Sequence, residues 1–238
     1  MSLRQKPSLK DDAQAAFQVL KRGGIAIIPM NVGYGITAMD PDALNRIVQT
    51  KQRQPHKRHA MVGSYSLHRD LHVLPSQQAD MVKLLTMSLD LPLGVVAPYR
   101  SDHPITQKLP PDVLAQSVVE DSLAMLVNGG ALLEELSRLA TLEALPLMGS
   151  SANITGKGAK TVVEDIEPEI LQVADIVIDY GRQKFHSPRA ASTMIDFRTI
   201  KILRYGACYD VVQDALWRFY GIKVPDDPGE SSLFDGPA

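Results

Sequence analysis

The chain has 238 residues, a formal net charge of −2, a single cysteine and 45% apolar residues. This length fits one or two domains and a large core that needs no disulfides. One cysteine excludes an internal disulfide and a cysteine-rich zinc site, and the apolar runs are too short for a membrane-spanning helix. Residues 1–10 carry no apolar signal core, so we expect a soluble, cytoplasmic protein with no membrane partner.

The near-neutral total conceals two segments of opposite charge. Six Lys and Arg residues and four of the six His lie between Arg46 and His72, together with a single acid. Six acids lie between Thr161 and Gly181, where there is no Lys or Arg. The basic segment predicts a local site for an anion, whereas we interpret the acidic segment as the solvated face of a helix.

Apolar periodicity predicts helices and strands that intermix along the chain. The first part predicts a helix from Ser8 to the glycine pair at 23–24, a buried strand at 25–28 ended by Pro29, a loop over 30–35 and a helix from Asp40 to about Lys51. Further strands are expected near 60–62, 94–97, 123–127, 145–148, 176–178, 191–197 and 201–204. Further helices are expected over 77–85, 131–140 and 211–220, and a capping box at Thr161 predicts an acidic one.

The absence of a repeat or an internal linker favours a single α/β domain over residues 1–222. Residues 223–238 are acidic, contain Pro and Gly and have little to bury, so we predict a mobile tail there.

The common phosphate-binding and catalytic motifs are missing from the sequence. There is no P-loop, no dinucleotide fingerprint, no H-E-x-x-H and no G-x-S-x-G, and the histidines show no metal-ligand spacing. We therefore predict no protein-bound metal site and assign no catalytic residue.

Three weaker features remain. Lys51, Arg53 and Lys57 follow the second predicted helix, where cations either complement the helix dipole or face phosphates. Small polar residues at 150–153 follow a predicted strand, where they either form a turn or bind a nucleotide. Ser192 lies in a strand pattern, and Arg204 follows it at the end of the next strand.

Taken in order, these motifs resemble those of the YrdC-like family, whose best-known members are threonylcarbamoyl-AMP synthases. The resemblance spans about residues 8–206. In this sequence its motifs lie at residues 23–25, 29–36, 51–57, 151–156, 192–196 and 202–206. It implies an α/β fold with a twisted, mixed parallel and antiparallel sheet flanked by helices, and a basic concave groove.

The resemblance also implies a reaction and a site. Family members join L-threonine, bicarbonate and ATP, with Mg²⁺, into threonylcarbamoyl-AMP for tRNA modification and release pyrophosphate. By position, the nucleotide would be held by Lys51, Arg53, Lys57, Ser151, Asn153 and Arg204, with Lys51 facing its phosphates. The amino-acid acceptor would lie near Met30, Val32, Tyr34 and Ser192.

The sequence departs from the family pattern at the acceptor end. Met30, Asn31 and Val32 replace a threonine, an acid and a second threonine, and residues 126–130 lack the arginine that binds the acceptor carboxylate. Losing such a charge-assisted bond costs about 1.5–3 kcal/mol. We therefore expect a nucleotidyltransferase with a different, less polar acceptor.

Two other interpretations stay open at this point. The basic segment also fits a non-catalytic protein that binds nucleotides or double-stranded RNA on the same fold, although Tyr65 is the only aromatic residue in it that could stack on a base. The third interpretation is a fold that retains neither activity.

Overall fold

The computed structural model describes residues 8–52, 60–187 and 189–229. In these residues ten strands form one sheet: β1 Ala26–Met30, β2 Gly33–Ala38, β3 Ala60–Val62, β4 Leu93–Pro98, β5 Val118–Val119, β6 Ser122–Val127, β7 Met148–Ser151, β8 Ile176–Val177, β9 Thr193–Asp196 and β10 Lys201–Arg204. The helices are α1 Leu9–Lys21, α2 Pro41–Thr50, α3 Tyr65–Leu71, α4 Ser76–Lys83, α5 Pro104–Gln107, α6 Pro111–Ser117, α7 Ala131–Leu142, α8 Pro168–Val173 and α9 Tyr209–Tyr220. None of the helices described is long and apolar enough to cross a bilayer.

The sheet mixes parallel and antiparallel neighbours, as predicted. Its order is β10-β9-β4-β6-β3-β7-β2-β1-β8, and β5 pairs with β6. The pairs β1–β8, β3–β6 and β4–β9 are parallel, and the remaining pairs are antiparallel. An α/β fold with a mixed sheet flanked by helices is therefore confirmed.

Two apolar clusters lie against the sheet. The smaller joins α1 and α7 to Ile28 and Met30 of β1, and the larger contains Ile27 together with residues of α2, α8 and α9. Since alternate residues of a strand point to opposite faces, β1 supplies both clusters. All five of its residues are buried, which explains the unbroken apolar run in the sequence.

Strand β1 does not end at Pro29, as we expected, but continues to Met30. Pro29 pairs with Tyr34, whose backbone N–H donates to Lys160 and whose carbonyl accepts from Ala152. The Pro29–Tyr34 pair therefore needs no hydrogen bond from the proline nitrogen, so the strand tolerates it. The predicted loop over 30–35 is consequently only Asn31 and Val32.

Strand β7 lies three residues later than predicted, at Met148–Ser151 instead of 145–148. Its position is set by pairing with β2 and β3, where Gly149 lies opposite both Thr37 and Ala60. A Cβ on Gly149 would lie 3.1 Å from Thr37 Cγ2 and 3.2 Å from Val62 Cγ1, so a small residue fits there best. Ser150 and Ser151 therefore lie in the strand and not after it.

The acidic helix predicted from Thr161 does not form. A 3₁₀ turn covers Val163–Asp165, and α8 begins only at Pro168. The proline disfavours helical backbone at Glu167 before it, and Glu167 is extended, with φ −60° and ψ 139°. The conformational restriction that Pro168 places on Glu167 therefore outweighs the helix-starting tendency of the capping box at Thr161.

The chain after α9 packs on the domain as far as it is described. Val224 is buried, the Tyr209 hydroxyl donates to the Pro225 carbonyl at 2.5 Å, and Arg189 pairs with Asp227 at 2.6 Å. The described part of the tail predicted over 223–238 is thus packed on the domain, and residues 230–238 lie outside the described residues.

Candidate functional site

Lys51 connects the end of α2 to the loop after β7. Asp40 caps the start of α2 by accepting the N–H groups of Asp42 and Ala43. The Lys51 side chain at its other end is 3% exposed. Its ammonium donates to the carbonyls of Ser151 and Asn153, the latter at 2.6 Å. Lys51 therefore bonds to the last residue of β7 and to the loop after it, which carry two other residues of the predicted nucleotide set.

Asn153 offers a polar atom that the described residues leave unsatisfied. The side chain is 5% exposed, and its amide nitrogen donates to the Ile154 carbonyl at 2.6 Å. Its Oδ1 is buried and accepts no hydrogen bond from any described residue, and the Ser150 hydroxyl nearby in the chain is also unpartnered. An unsatisfied buried polar atom costs about 1–3 kcal/mol, so each such atom calls for an explanation.

Arg53 and Lys57, which were also predicted to bind the nucleotide, lie outside the described residues. The structure thus brings Lys51, Ser151 and Asn153 together and leaves the predicted roles of Arg53 and Lys57 as predictions.

Arg204 and Ser192 form a second group. The Arg204 Nε donates to the Ser192 carbonyl at 2.9 Å, and one terminal nitrogen donates to the Ser192 hydroxyl at 2.8 Å. Gly206 allows this approach, because a Cβ there would lie 2.2 Å from backbone atoms of Ser192 and Thr193. The predicted nucleotide residue Arg204 therefore contacts the predicted acceptor residue Ser192 directly.

Met30 and Val32 are buried at the end of β1 and in the turn after it. The Met30 thioether lies over the backbone of Gly35, where an added Cβ would approach its Cε to 2.2 Å. Met30, which was predicted to lie near the acceptor, therefore packs against the sheet and offers no hydroxyl.

Tyr34 contacts a carboxylate through its buried phenol. Its hydroxyl donates to Asp179 at 2.6 Å and accepts the Tyr180 N–H at 3.1 Å. Burial and the neighbouring Asp179 carboxylate raise the pKa of Tyr34 to about 12. The phenol therefore stays protonated at neutral pH and anchors the segment after β8.

Sequence reasoning missed the contact that joins the turn after β1 to the end of β6. The Asn31 N–H donates to the Gly129 carbonyl at 2.7 Å, and the Asn31 carbonyl accepts from Phe185 at 2.8 Å. Asn128 has φ 57° and donates its side-chain amide to the carbonyl of Leu91 and the carboxylate of Asp90. The Asn-Gly-Gly run at 128–130 is a turn signal that could have indicated this junction.

The two charged segments of the sequence do not form two separate solvated surfaces. In the basic segment, Lys51, His68 and His72 are buried. Half of the acids expected to solvate a helix face form specific contacts instead: Glu167 with Lys160 at 3.0 Å, Asp175 with Arg46 at 3.9 Å and with the Ile25 N–H at 2.8 Å, and Asp179 with Tyr34. That interpretation of the acidic segment was wrong for these three residues.

The comparisons with known proteins agree with this architecture. The Sua5/YciO/YrdC family model, described as "Telomere recombination", matches residues 18–206. A protein of Methanocaldococcus jannaschii with the provisional name threonylcarbamoyl-AMP synthase is 26% identical over 202 residues, which cover 82% of this chain and 86% of that protein. The chain therefore belongs to the Sua5/YciO/YrdC family.

Two solved structures share the fold. Sua5 of P. abyssi, crystallised with L-threonine, has a TM-score of 0.69 at 20% identity, and the match covers 91% of this chain and 59% of Sua5. The hypothetical protein smu.1377c of Streptococcus mutans has a TM-score of 0.72 at 20% identity, over 89% of this chain and 93% of that protein. This chain thus spans little more than half of Sua5 and nearly all of the streptococcal protein.

Proposed function

We propose that this chain is an ATP-dependent nucleotidyltransferase of the threonylcarbamoyl-AMP synthase type. It would join bicarbonate and an amino acid or related acceptor to the AMP part of ATP and release pyrophosphate, in support of tRNA modification. Family membership supports the reaction class, and the L-threonine complex of P. abyssi Sua5 supports an amino-acid acceptor.

The observation that carries the proposal is the unsatisfied Oδ1 of Asn153, a residue whose backbone carbonyl accepts from the Lys51 ammonium. A buried acceptor with no donor among the described residues suits a ligand that brings its own N–H or O–H groups, as adenine and ribose do. Lys51 holds one carbonyl at the end of β7 and one in the loop after it, so Ser151 and Asn153 are fixed before a nucleotide arrives. In this proposal the guanidinium groups of Arg53 and Arg204 and the ammonium group of Lys57 donate hydrogen bonds to the phosphates.

Mg²⁺ would enter this site bound to ATP. The described residues contain no group of three His, Cys, Asp or Glu side chains placed to hold a metal ion. Mg²⁺ commonly keeps several waters and binds through substrate phosphates, so no protein cage is required. When bound, it would neutralise charge on the phosphates.

The acceptor is proposed to be less polar than L-threonine or to be held differently. Met30 and Val32 present apolar groups where the family has hydroxyls, and the end of β6 is an Asn-Gly-Gly turn tied to Asn31. An acceptor that depends on an arginine from the end of β6 would lose that contact here.

The test is ATP binding by calorimetry in the presence of Mg²⁺, followed by pyrophosphate release with bicarbonate and an amino-acid panel. We expect Arg53→Ala and Asn153→Ala each to weaken ATP binding by at least tenfold, which corresponds to one lost hydrogen bond to a charged or buried group. Arg22→Ala, which removes an exposed arginine after α1, is the matched control and should bind ATP normally.

Two results would contradict the proposal. The first is an intact fold with no ATP binding, and the second is ATP binding without pyrophosphate release for any acceptor. RNA binding with a steep salt dependence, combined with no turnover, would favour the RNA-binding alternative instead.

A further inference from the structure

A cavity of about 350 Å³ lies beside α3 and α4, and the proposed nucleotidyl transfer does not use its residues. Its lining comprises Tyr65, His68, Arg69, His72, Leu74, Ala79, Asp80 and Lys83. Ligand cavities run from about 300 to 1,000 Å³, so this one fits a small molecule. The two histidines are buried, Tyr65, Leu74 and Ala79 are half-buried, and the three charged residues are exposed. The cavity thus has a polar floor, an apolar wall and a charged rim.

The hydrogen bonds at the floor fix where the histidine protons lie. His72 Nε2 is 3.1 Å from the Leu123 carbonyl, which can only accept, so Nε2 carries the proton and His72 Nδ1 carries a lone pair. His68 Nδ1 is 2.8 Å from His72 Nδ1 and must donate to it. His68 Nε2 is therefore left as an acceptor, and no described residue bonds to it.

Burial keeps this arrangement neutral. Desolvation lowers the pKa of His68 to about 4, and desolvation together with the neighbouring His68 lowers the pKa of His72 to about 3. At neutral pH the His68 Nε2 therefore accepts a hydrogen bond and cannot donate one, which selects a ligand with a hydroxyl or N–H at its inner end.

The rim carries charges of both signs. None of Arg69, Asp80 and Lys83 forms an ion pair with another residue in the described part of the chain. Two cations and one carboxylate complement the carboxylate and ammonium of an amino-acid zwitterion. The half-buried Tyr65 and Leu74 offer an apolar wall on which an aromatic ring can pack.

We propose that this cavity is a second binding site, for a free aromatic amino acid whose side chain ends in a hydrogen-bond donor, as in L-tyrosine. Its carboxylate would contact Arg69 and Lys83, its ammonium Asp80, and its hydroxyl would donate to His68 Nε2. The described lining of the cavity contains no residue of the nucleotide set, so the proposal does not require the chain to turn over ATP.

Calorimetry on the full chain without ATP tests this site with three ligands. We expect L-tyrosine to bind saturably, L-phenylalanine about tenfold more weakly because it lacks the hydroxyl, and tyramine at least tenfold more weakly because it lacks the carboxylate. His68→Leu should abolish the preference for tyrosine over phenylalanine. Lys83→Ala should weaken both amino acids, whereas Lys201→Ala, an exposed lysine on β10, should change neither.

The three-ligand comparison needs no variant, so it stands even where His68→Leu destabilises the fold. Absence of saturable tyrosine binding to the folded chain would overturn the proposal. Equal affinity for tyrosine and phenylalanine, or a tyrosine preference that survives in folded His68→Leu, would overturn it as well. Pyrophosphate release, measured separately, reports on the proposed function alone.

Discussion

The buried His68–His72 pair predicts a steep loss of stability in mild acid. Both residues are neutral in the folded chain, with pKa values of about 4 and about 3, whereas an unfolded histidine titrates near 6.5. The unfolded chain therefore takes up protons first as the pH falls. Stability is fully present above about pH 6.5 and is lost progressively as the pH drops towards 4.

The size of this loss follows from the pKa differences. Each pH unit below 6.5 costs about 1.4 kcal/mol for each histidine that stays neutral in the fold. Going from pH 7 to pH 5 therefore costs about 2 kcal/mol for each residue and about 4 kcal/mol for the pair. That loss is a large fraction of the 5–15 kcal/mol typical of a folded domain.

Urea unfolding at pH 7, 6 and 5 measures this loss. Carboxylates also titrate in this range, so the fall in unfolding free energy is compared with that of the double variant His68→Asn, His72→Gln. In this variant an amide N–H can replace the Nδ1 donor of residue 68, and another can replace the Nε2 donor of residue 72. Its stability should fall about 4 kcal/mol less between pH 7 and pH 5 than that of the unmodified chain. His186→Asn, at an exposed histidine, serves as the control. An equal fall for the unmodified chain and the double variant would refute this account of the pair.

Three further predictions concern β2 and the segment after β10. Tyr34→Phe should lower the unfolding free energy by about 1–3 kcal/mol, because Asp179 loses its buried phenol donor, and urea unfolding would show this. Gly35→Ala should destabilise the chain, and Met30→Ala should partly rescue it in a double-mutant cycle, because the clash is with the flexible Met30 side chain. Gly206→Ala should destabilise more than Gly35→Ala in the same assay, since the new Cβ would meet backbone atoms at 2.2 Å, and equal effects would contradict this ranking.

Local sequence patterns were sufficient for the fold class and for most elements. The apolar stripe before Gly23 gave α1, the Asp40-Pro41 pair gave the start of α2, and the apolar run at 25–28 gave most of β1. These features depend on periodicity and capping, which act within a few residues. The ordered motifs also pointed to the family, because their spacing reflects the fold as a whole.

Pairing between distant strands decided the rest of the fold. Pro29 stays inside β1 because Tyr34 makes its backbone hydrogen bonds to Lys160 and Ala152. Gly149 enters β7 because it fits between β2 and β3. No pattern within a few residues of either position contains this information, since the partners lie far away in the chain.

The same division holds for the candidate site. The sequence by itself determined which residue types are present, including the Ser151–Asn153 run and the departures at Met30 and Val32. Only the tertiary structure showed that Lys51 holds the Ser151 and Asn153 carbonyls, and that Asn153 Oδ1 is left without a described partner. It also showed that His68 and His72, which lie in an apparently basic segment, form a buried neutral pair. Burial and partner geometry set the charge and hydrogen-bonding capacity of a side chain, and both depend on which distant residues pack against it.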